Sequence, residues 1–360
     1  FRSEIISSNS KTSYNGNYGL NASWTLYNGN KRLKTIQQEK LNNQVAELDV
    51  ATSENNIQES IAQVYIQILY AAESVKVNES TLQVSIAQRD RGQELLNAGS
   101  IAKSDFAQLE AQVSTDRYQL VTAQATLEDY KLQLKQLLEL DGENEMNIYL
   151  PALSDENVLA PLPTKKDVYI RALSLRPEIE ASKLNVEASE LGIGIAKSSY
   201  LPTISLSAGI GTNHTSGSDF TFGEQVKNGW NNSIGLSVSV PIFNNRQTKS
   251  AVQKAKLQYE TSMLSLLDEQ KTLYKTIEGL WLDANSAQQR YAAANEKLKS
   301  TQISYELISE QFNLGMKNTI ELLTEKNNLL QAQQEQLQAK YMAILNMQLL
   351  KFYQGDQLAI

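Results

Sequence analysis

Apolar and small polar residues alternate in three short segments of the chain. Ile204, Leu206, Ala208 and Ile210 interleave with Thr203, Ser205, Ser207 and Gly209, and Ile234, Leu236, Val238 and Val240 with Ser233, Gly235, Ser237 and Ser239. Tyr18, Leu20, Ala22, Trp24 and Leu26 interleave with Gly19, Asn21, Ser23 and Thr25. Because successive side chains of a strand point to opposite faces, the pattern predicts three strands, each with one apolar and one small polar face. At about 9 to 11 residues each, they suit a membrane barrel with a wet interior. A soluble sheet with one buried face gives the same alternation. The rest of the chain, however, supplies no obvious layer to cover such a sheet.

Elsewhere the apolar spacing is three and four. Ile57, Ile61, Val64, Ile68, Ala72, Val75, Leu82 and Ile86 mark one helix, and Tyr274, Ile277, Trp281, Ala284, Tyr291, Leu298, Tyr305, Ile308 and Phe312 another. This period predicts coiled-coil packing. From Lys31 to about Leu96 no proline intervenes and Gly92 is the sole glycine. About 65 residues rising 1.5 Å each make a helix of about 100 Å, and its counterpart runs from Arg246 to Leu314. Each turns at Asn97-Ala98-Gly99 or Asn313-Leu314-Gly315 and returns through Ser104–Leu140 or Thr319–Phe352. Glycine suits a left-handed helix end, and Ser104 and Thr319 offer N-cap hydroxyls for the return helices. A second stretch, Arg176–Tyr200, is also helical in pattern. Residues 141–176 carry Pro151, Pro161 and Pro163 and read as an irregular connector.

These elements occur twice. Gly19 to Lys135 matches Gly235 to Lys351 without a gap at an offset of 216 residues, and strand, asparagine-rich turn, long helix and Asn-X-Gly break recur at the same spacing. The strand opening at Leu201-Pro202 has no counterpart after Phe1, so the natural protein is expected to extend upstream. The absence of an initial methionine and signal peptide fits a trimmed chain. Residues 7–17 and 213–231 are polar and rich in glycine and serine, as hairpin loops are. Two copies then give two hairpins, with the first strand only partly visible around Phe1–Ser8. Four strands cannot close a membrane barrel, so the chain is expected to oligomerise, two copies giving eight strands and three giving twelve.

Composition narrows the chemistry. A mean hydropathy of -0.38 over 360 residues fits long solvated helices better than a compact globule. No run of about 18 apolar residues encodes a transmembrane helix. The net charge is -7 and no Lys/Arg-rich run appears, which argues against nucleic acid as a partner. With no cysteine and a single histidine, His214, thiol nucleophiles, zinc sites and Ser-His-Asp triads lack their residues. His214 lies among Asn213, Thr215 and Ser216 and reads as a solvated loop histidine. Gly192-Ile193-Gly194 and Gly209-Ile210-Gly211 lack the remaining residues of nucleotide loops. No cofactor, metal or catalytic site is expected.

Several segments together resemble a known family. Arg176-Pro177-Glu178-Ile179-Glu180-Ala181, leading into Leu201-Pro202-Thr203-Ile204-Ser205-Leu206, is similar to the helix-to-strand entry of the TolC-like outer membrane efflux family. Val240-Pro241-Ile242-Phe243-Asn244-Asn245-Arg246, and more loosely Trp24-Thr25-Leu26-Tyr27-Asn28-Gly29, resemble its strand-to-helix exit. Gly315–Glu321 and Gly99–Asp105 resemble its periplasmic tips.

The resemblance implies a mainly α chain with a transmembrane β-barrel portion. Residues 1–30 and 201–243 would supply four strands to a trimeric twelve-stranded barrel in the outer membrane. Residues 31–140, 177–200 and 244–353 would form a periplasmic α-helical barrel, with 141–176 and 354–360 as connectors. It further implies an exit duct for an inner-membrane pump and a periplasmic adaptor protein, with no catalysis by this chain. Asp105 and Lys317 fall at a charge-paired latch, and Phe312 where some relatives carry a hydrogen-bonding tyrosine. Glu321 falls at an acidic ring, where three converging carboxylates would raise one another's pKa and attract a cation. Ala98, Gly99, Ser100, Leu314, Gly315 and Met316 fall at the tips that would meet the adaptor. A soluble coiled-coil scaffold or adaptor is the competing reading, and the cargo, whether small molecules or protein, stays open.

Overall fold

The computed structural model describes residues 14–140, 148–149 and 158–358. Its elements in chain order are β1 (Asn15–Asn28), α1 (Lys31–Asn97), α2 (Lys103–Leu137), α3 (Lys165–Leu175), α4 (Pro177–Ser198), β2 (Thr203–Thr215), α5 (Phe222–Asn228), β3 (Asn231–Ser239), α6 (Gln247–Asn313) and α7 (Thr319–Tyr353). Both α1 and α6 contain 67 residues, and α2 and α7 both contain 35. Their bounds, and the starts of β1 and β3, differ by the 216 residues of the sequence repeat. The duplication is therefore a duplication of structure.

Two compact units divide the chain, and their boundaries fall within helices. The first comprises Phe1–Ala46 with Ser182–Leu266 and holds an antiparallel sheet in the order β1-β2-β3. The register aligns like with like. Leu20 faces Ile210, Ala22 faces Ala208 and Trp24 faces Leu206, while on the other side of β2 Ile204, Leu206 and Ala208 face Val238, Leu236 and Ile234. A bulge at Leu26 shifts the β1 register between Thr25 and Tyr27, which ends strict alternation beside the helix entry. The expected first strand near Phe1–Ser8 lies outside the described residues.

Two expectations about the loops are corrected. Strand β2 continues through Thr215, so His214 is not in a loop: it pairs with Gly16, is half-buried and sets its ring 5.1 Å from that of Phe222, inclined at 59°. The segment 213–231 also contains helix α5. Thr221 and Glu224 start it reciprocally, Glu224 N–H donating to Thr221 Oγ1 at 3.4 Å and Thr221 N–H to Glu224 Oε2 at 2.9 Å, a capping box.

Each strand-to-helix turn uses two consecutive left-handed residues. They are Gly29 (φ 66°) and Asn30 (φ 63°) before α1, and Asn245 (φ 50°) and Arg246 (φ 63°) before α6. At Gly29 a Cβ would lie 2.7 Å from the Ser198 carbonyl, so both φ and space require glycine there. At the equivalent Asn245 and Arg246 the left-handed conformation is held without glycine.

The second unit comprises Glu47–Ala181 with Leu267–Ile360. In one cluster, Ile66 and Leu69 of α1, Ala287 and Tyr291 of α6 and Tyr341 and Ile344 of α7 pack together. A second cluster joins Val168 and Ala172 of α3 to Ile179, Leu273, Ile277, Leu350 and Tyr353. Each fully buried Leu, Ile or Val side chain contributes about 1.5–3 kcal/mol, so α3 is part of the core. The connector 141–176 is accordingly not irregular throughout. Sequence reading passed over α3 because three prolines surround its 11 residues and its apolar face is short. Thr164 caps it, accepting from Asp167 N–H at 3.3 Å.

Arg176 explains why the Arg-Pro-Glu segment stands out. It ends α3, donates to Glu59 of α1 at 2.9 Å and to Glu178 at 2.8 Å, and lies 4.0 Å over the ring of Tyr353. Pro177 then occupies the first position of α4, where a missing N–H costs nothing. Burial and then the Glu59 carboxylate push the Tyr353 phenol up to about 12, so it stays neutral beside these charges.

Candidate functional site

The sheet carries its apolar side chains on one face and leaves them in the open. Leu20, Trp24, Ile234, Leu236 and Val238 are 71%, 64%, 83%, 66% and 59% exposed. Strand alternation places Gly19, Ser23, Gly209, Ser207, Gly235 and Ser237 on the opposite face, so it is small and polar. A soluble sheet would bury the first face, and a contiguous apolar patch of this kind marks contact with lipid or protein. Past β3, Ile242 and Phe243 are 95% and 85% exposed, continuing the apolar surface to the turn. Among the described residues, β1 and β3 each pair along one edge only. Backbone groups on an open edge have no partner in a bilayer. None of the described helices is long and apolar enough to cross a membrane.

The hairpin tips, in the second unit, close in the same way twice. Gly99 (φ 72°) and Gly315 (φ 75°) are left-handed. Gly99 N–H donates to Leu96 O and Ser100 N–H to Leu95 O, at 2.9 and 2.8 Å; Gly315 N–H and Met316 N–H donate to Phe312 O and Gln311 O, each at 2.9 Å. This paired bond pattern satisfies the last carbonyls of each long helix. Ala98, Gly99, Ser100, Leu314, Gly315 and Met316 are all exposed, Leu314 and Met316 by 75% and 71%. Phe312 is 3% exposed and anchors the second tip from within.

Both return helices are capped earlier than expected, α2 by two residues and α7 by one. Ser104 lies inside α2, whose cap residue is Ala102, and Asp105 Oδ2 accepts from Ala102 N–H at 3.4 Å. Thr319 is the first residue of α7; the cap is Asn318, which accepts from Glu321 N–H at 2.9 Å and donates its own N–H to Glu321 at 3.2 Å. The Thr319 hydroxyl is buried and has no hydrogen-bond partner among the described residues. Lys317 pairs with Glu321 at 2.6 Å. That hydrogen bond, with the Asn318 N–H, holds the Glu321 carboxyl below the usual carboxylate range. The direction within one protomer is thus opposite to that expected of three converging carboxylates. The structure brings Lys317 to Glu321 and leaves Asp105 at its own helix start.

Further along the same hairpins lies a group that sequence reading missed. Lys326 of α7 contacts both Ser85 of α1 and Asp116 of α2, and Ser85 hydrogen-bonds Asp116. The three are 3%, 2% and 1% exposed. Gln112 donates to the second carboxylate oxygen at 2.9 Å. Burial lowers the Lys326 pKa and Asp116 opposes the fall. The signal was present: Lys326 lies between Leu322 and Leu329 at heptad spacing, and Asp116 follows Leu109 and Val113, all buried. Two charges of opposite sign on core stripes are partners in waiting.

Strand, long helix and returning helix written twice, with an apolar sheet face left uncovered, define a duplicated fold of long helical hairpins joined to a membrane-type sheet. The family model for the outer membrane efflux protein matches residues 2–139 and 168–355, and the chain belongs to that family. It is 24% identical over 290 residues to the outer membrane efflux protein BepC of Brucella suis biovar 1, covering 80% of this chain and 60% of BepC. It is 23% identical over 311 residues to the outer membrane protein TolC of Escherichia coli K12, covering 84% of this chain and 62% of TolC. The chain thus spans roughly three-fifths of the length of these relatives. Among solved structures, CusC superposes with a TM-score of 0.81 at 19% identity, covering 99% of this chain and 81% of CusC, a likeness of fold. The soluble-scaffold reading finds no support in these matches or in the exposed sheet.

Proposed function

We propose that the chain is one protomer of a homotrimeric exit duct in the bacterial outer membrane. It conducts cargo passively from an inner-membrane pump and a periplasmic adaptor protein to the cell exterior. The carrying observation is the sheet, with its apolar face exposed and in register across three strands and its outer edges unpaired among the described residues. Lipid against that face and neighbouring copies against those edges satisfy both. Residues 1–30 and 201–243 then belong to a twelve-stranded barrel, residues 31–140, 177–200 and 244–353 to a periplasmic helical tunnel, and 141–176 with 354–360 to its connector. Catalysis has no place in this scheme, since the pump supplies the energy.

At the tips, Asp105 and Lys317 form the latch, Glu321 the acidic constriction and Phe312 its apolar anchor, while Ala98, Gly99, Ser100, Leu314, Gly315 and Met316 meet the adaptor. The two matching turns, exposed and rigidly capped, support this reading. Extraction from membranes, measurement of particle mass in detergent and recording in planar bilayers test the whole proposal. A detergent-dependent trimer with discrete conductance steps is expected. A monodisperse particle stable without detergent and silent in bilayers would overturn it.

A further inference from the structure

Helix α5, between β2 and β3, is held by one face of the sheet. Even-numbered residues of β2 share the apolar face: Ile204, Leu206 and Ala208 pair with Val238, Leu236 and Ile234, and Thr212 and His214 continue the series opposite Tyr18 and Gly16. Those later residues are the ones that seat α5. The Phe222 ring meets Tyr18 in a T-shape, 6.3 Å between centroids, and lies 5.1 Å from the His214 ring. Thr212 Oγ1 donates to the Val226 carbonyl at 2.9 Å. Strand β3 pairs with β2 no further than Gly211, and beyond that point Thr215 N–H donates to Gln225 Oε1 at 2.9 Å. Helix α5 thus satisfies a backbone group on the edge that β3 leaves, and leans over the apolar face. At Gly229, where the chain turns back into β3, it comes against Asn213.

The level at which this happens is specific. From Ile204 to His214 the strand runs about 33 Å, which at the usual tilt of a membrane strand spans about 25 Å of barrel height, the full extent of an apolar band. The Ile204 end adjoins the helices, since Gly29 packs against the Ser198 carbonyl there. Helix α5 therefore lies at the far limit of the band. Phe220, Phe222 and Trp230 are 59%, 56% and 55% exposed, and Asp219, Glu224 and Lys227 beside them are exposed too. Rings interspersed with charges suit the layer where acyl chains give way to headgroups. A helix covering the lumen would rest instead on the small polar face.

We propose that α5 is an outward collar that rests on the headgroup layer of the outer leaflet, against the outside of the barrel, and leaves the mouth uncovered. Phe222 is its anchor on the strand. The occupant is lipid because α5 sits on the same face of the sheet that the barrel turns to the bilayer. The inference thus rests on the proposed barrel.

The chain contains no cysteine, so single introduced thiols carry a fluorophore cleanly. Gly223 suits the label on α5, since a Cβ there meets nothing within 4 Å. Leu236→Cys and Ser237→Cys mark the two faces of the sheet. Each labelled protein is placed in phosphatidylcholine vesicles bearing a nitroxide on the headgroup or midway along an acyl chain. Gly223→Cys is expected to be quenched several-fold more by the headgroup nitroxide than by the acyl-chain nitroxide, Leu236→Cys the reverse, and Ser237→Cys by neither. Adding Phe222→Ala to Gly223→Cys should cut the headgroup quenching several-fold, and undiminished quenching removes Phe222 as the anchor. A bulky maleimide on Gly223→Cys should leave single-channel conductance unchanged. A blocked channel, or Gly223→Cys quenched no more than Ser237→Cys while Leu236→Cys still responds to the acyl chain, overturns the collar and leaves the barrel standing. Leu236→Cys quenched by neither nitroxide overturns the barrel as well.

Discussion

Lys326 on α7 and Asp116 on α2 form an ion pair that is almost wholly removed from water, with Ser85 of α1 bonded to both. Three helices from two hairpins meet at this point. Desolvating two charges is costly and the pair gains its value from geometry and the added hydrogen bonds, so removing one member costs more than removing both. Asp116→Ala is expected to destabilise the chain by about 3–5 kcal/mol, read as a lowered unfolding midpoint. Asp116→Ala with Lys326→Met should recover most of the loss. Burial already depresses the Lys326 pKa, and in Asp116→Ala nothing on Asp116 opposes that fall. The unfolded chain then binds more protons than the folded one between the lowered value and about 10.4, the ordinary lysine value, so the stability of Asp116→Ala should rise with pH across that window. A flat profile would argue that Lys326 stays charged through another partner.

The sheet makes a prediction in which adjacent residues behave oppositely. Leu236 lies on the exposed apolar face, paired with Leu206, and Ser237 on the small polar face, paired with Ser205. With lipid against the first face, Leu236→Arg costs about 2–4 kcal/mol if it lies near the bilayer midplane and should reduce the trimer recovered from membranes. Ser237→Arg should leave recovery unchanged and alter conductance and ion selectivity, since the proposed barrel turns that face towards its lumen. Equal loss of trimer in both variants would mean that neither face meets lipid.

Much of this architecture was legible because it is periodic. Strand alternation located β1, β2 and β3, the three-four spacing located α1 and α6, and the repeat fixed their relation to within a residue or two. What was missed is local or paired. The caps at Ala102 and Asn318 depend on backbone angles that Ser104 and Thr319, both good cap residues, do not reveal. Helix α5 is only seven residues long and hides in a polar segment whose composition suits a loop equally. His214 was read from its polar neighbours, yet strand pairing with Gly16 carries β2 past them. Lys326 and Asp116 went unremarked because each is explained only by a residue 210 positions away.

Repeat-related helix ends differ at their left-handed position, and this predicts a reciprocal pair of substitutions. Leu140 N–H bonds Lys135 O at 3.0 Å after α2, and Asp356 N–H bonds Lys351 O at 3.1 Å after α7. The left-handed position is Glu139 (φ 52°) in the first and Gly355 (φ 94°) in the second. A side chain in that region costs roughly 1–2 kcal/mol, so Glu139→Gly should raise the unfolding midpoint, offset in part by greater freedom of the unfolded chain. Gly355→Ala should lower it further than Glu139→Gly raises it, since its methyl would approach Leu175 Cδ1 to 2.6 Å as well as bearing the strain. A rise in both variants would contradict the equivalence of the two ends.

Charge at the tips supplies the last prediction. Among the described contacts Asp105 accepts only a long bond from Ala102 N–H, at 3.4 Å, whereas Lys317 is held by Glu321 at 2.6 Å. If Asp105 and Lys317 latch neighbouring hairpins in the assembled trimer, Asp105→Ala with Lys317→Ala should raise single-channel conductance in planar bilayers, and unchanged conductance removes that assignment. The role of Lys317 in holding Glu321 has its own readout. With its pKa below the usual range, Glu321 stays ionised as pH falls through 4.5 and loses the contact only at lower pH. In Lys317→Ala the lysine hydrogen bond is gone, leaving the Asn318 N–H, so protonation begins at higher pH. The acid limb of the conductance profile should therefore move upward in Lys317→Ala and disappear in Glu321→Gln. A limb that stays in place in both variants would assign the titration to another group and leave Glu321 as a helix cap alone.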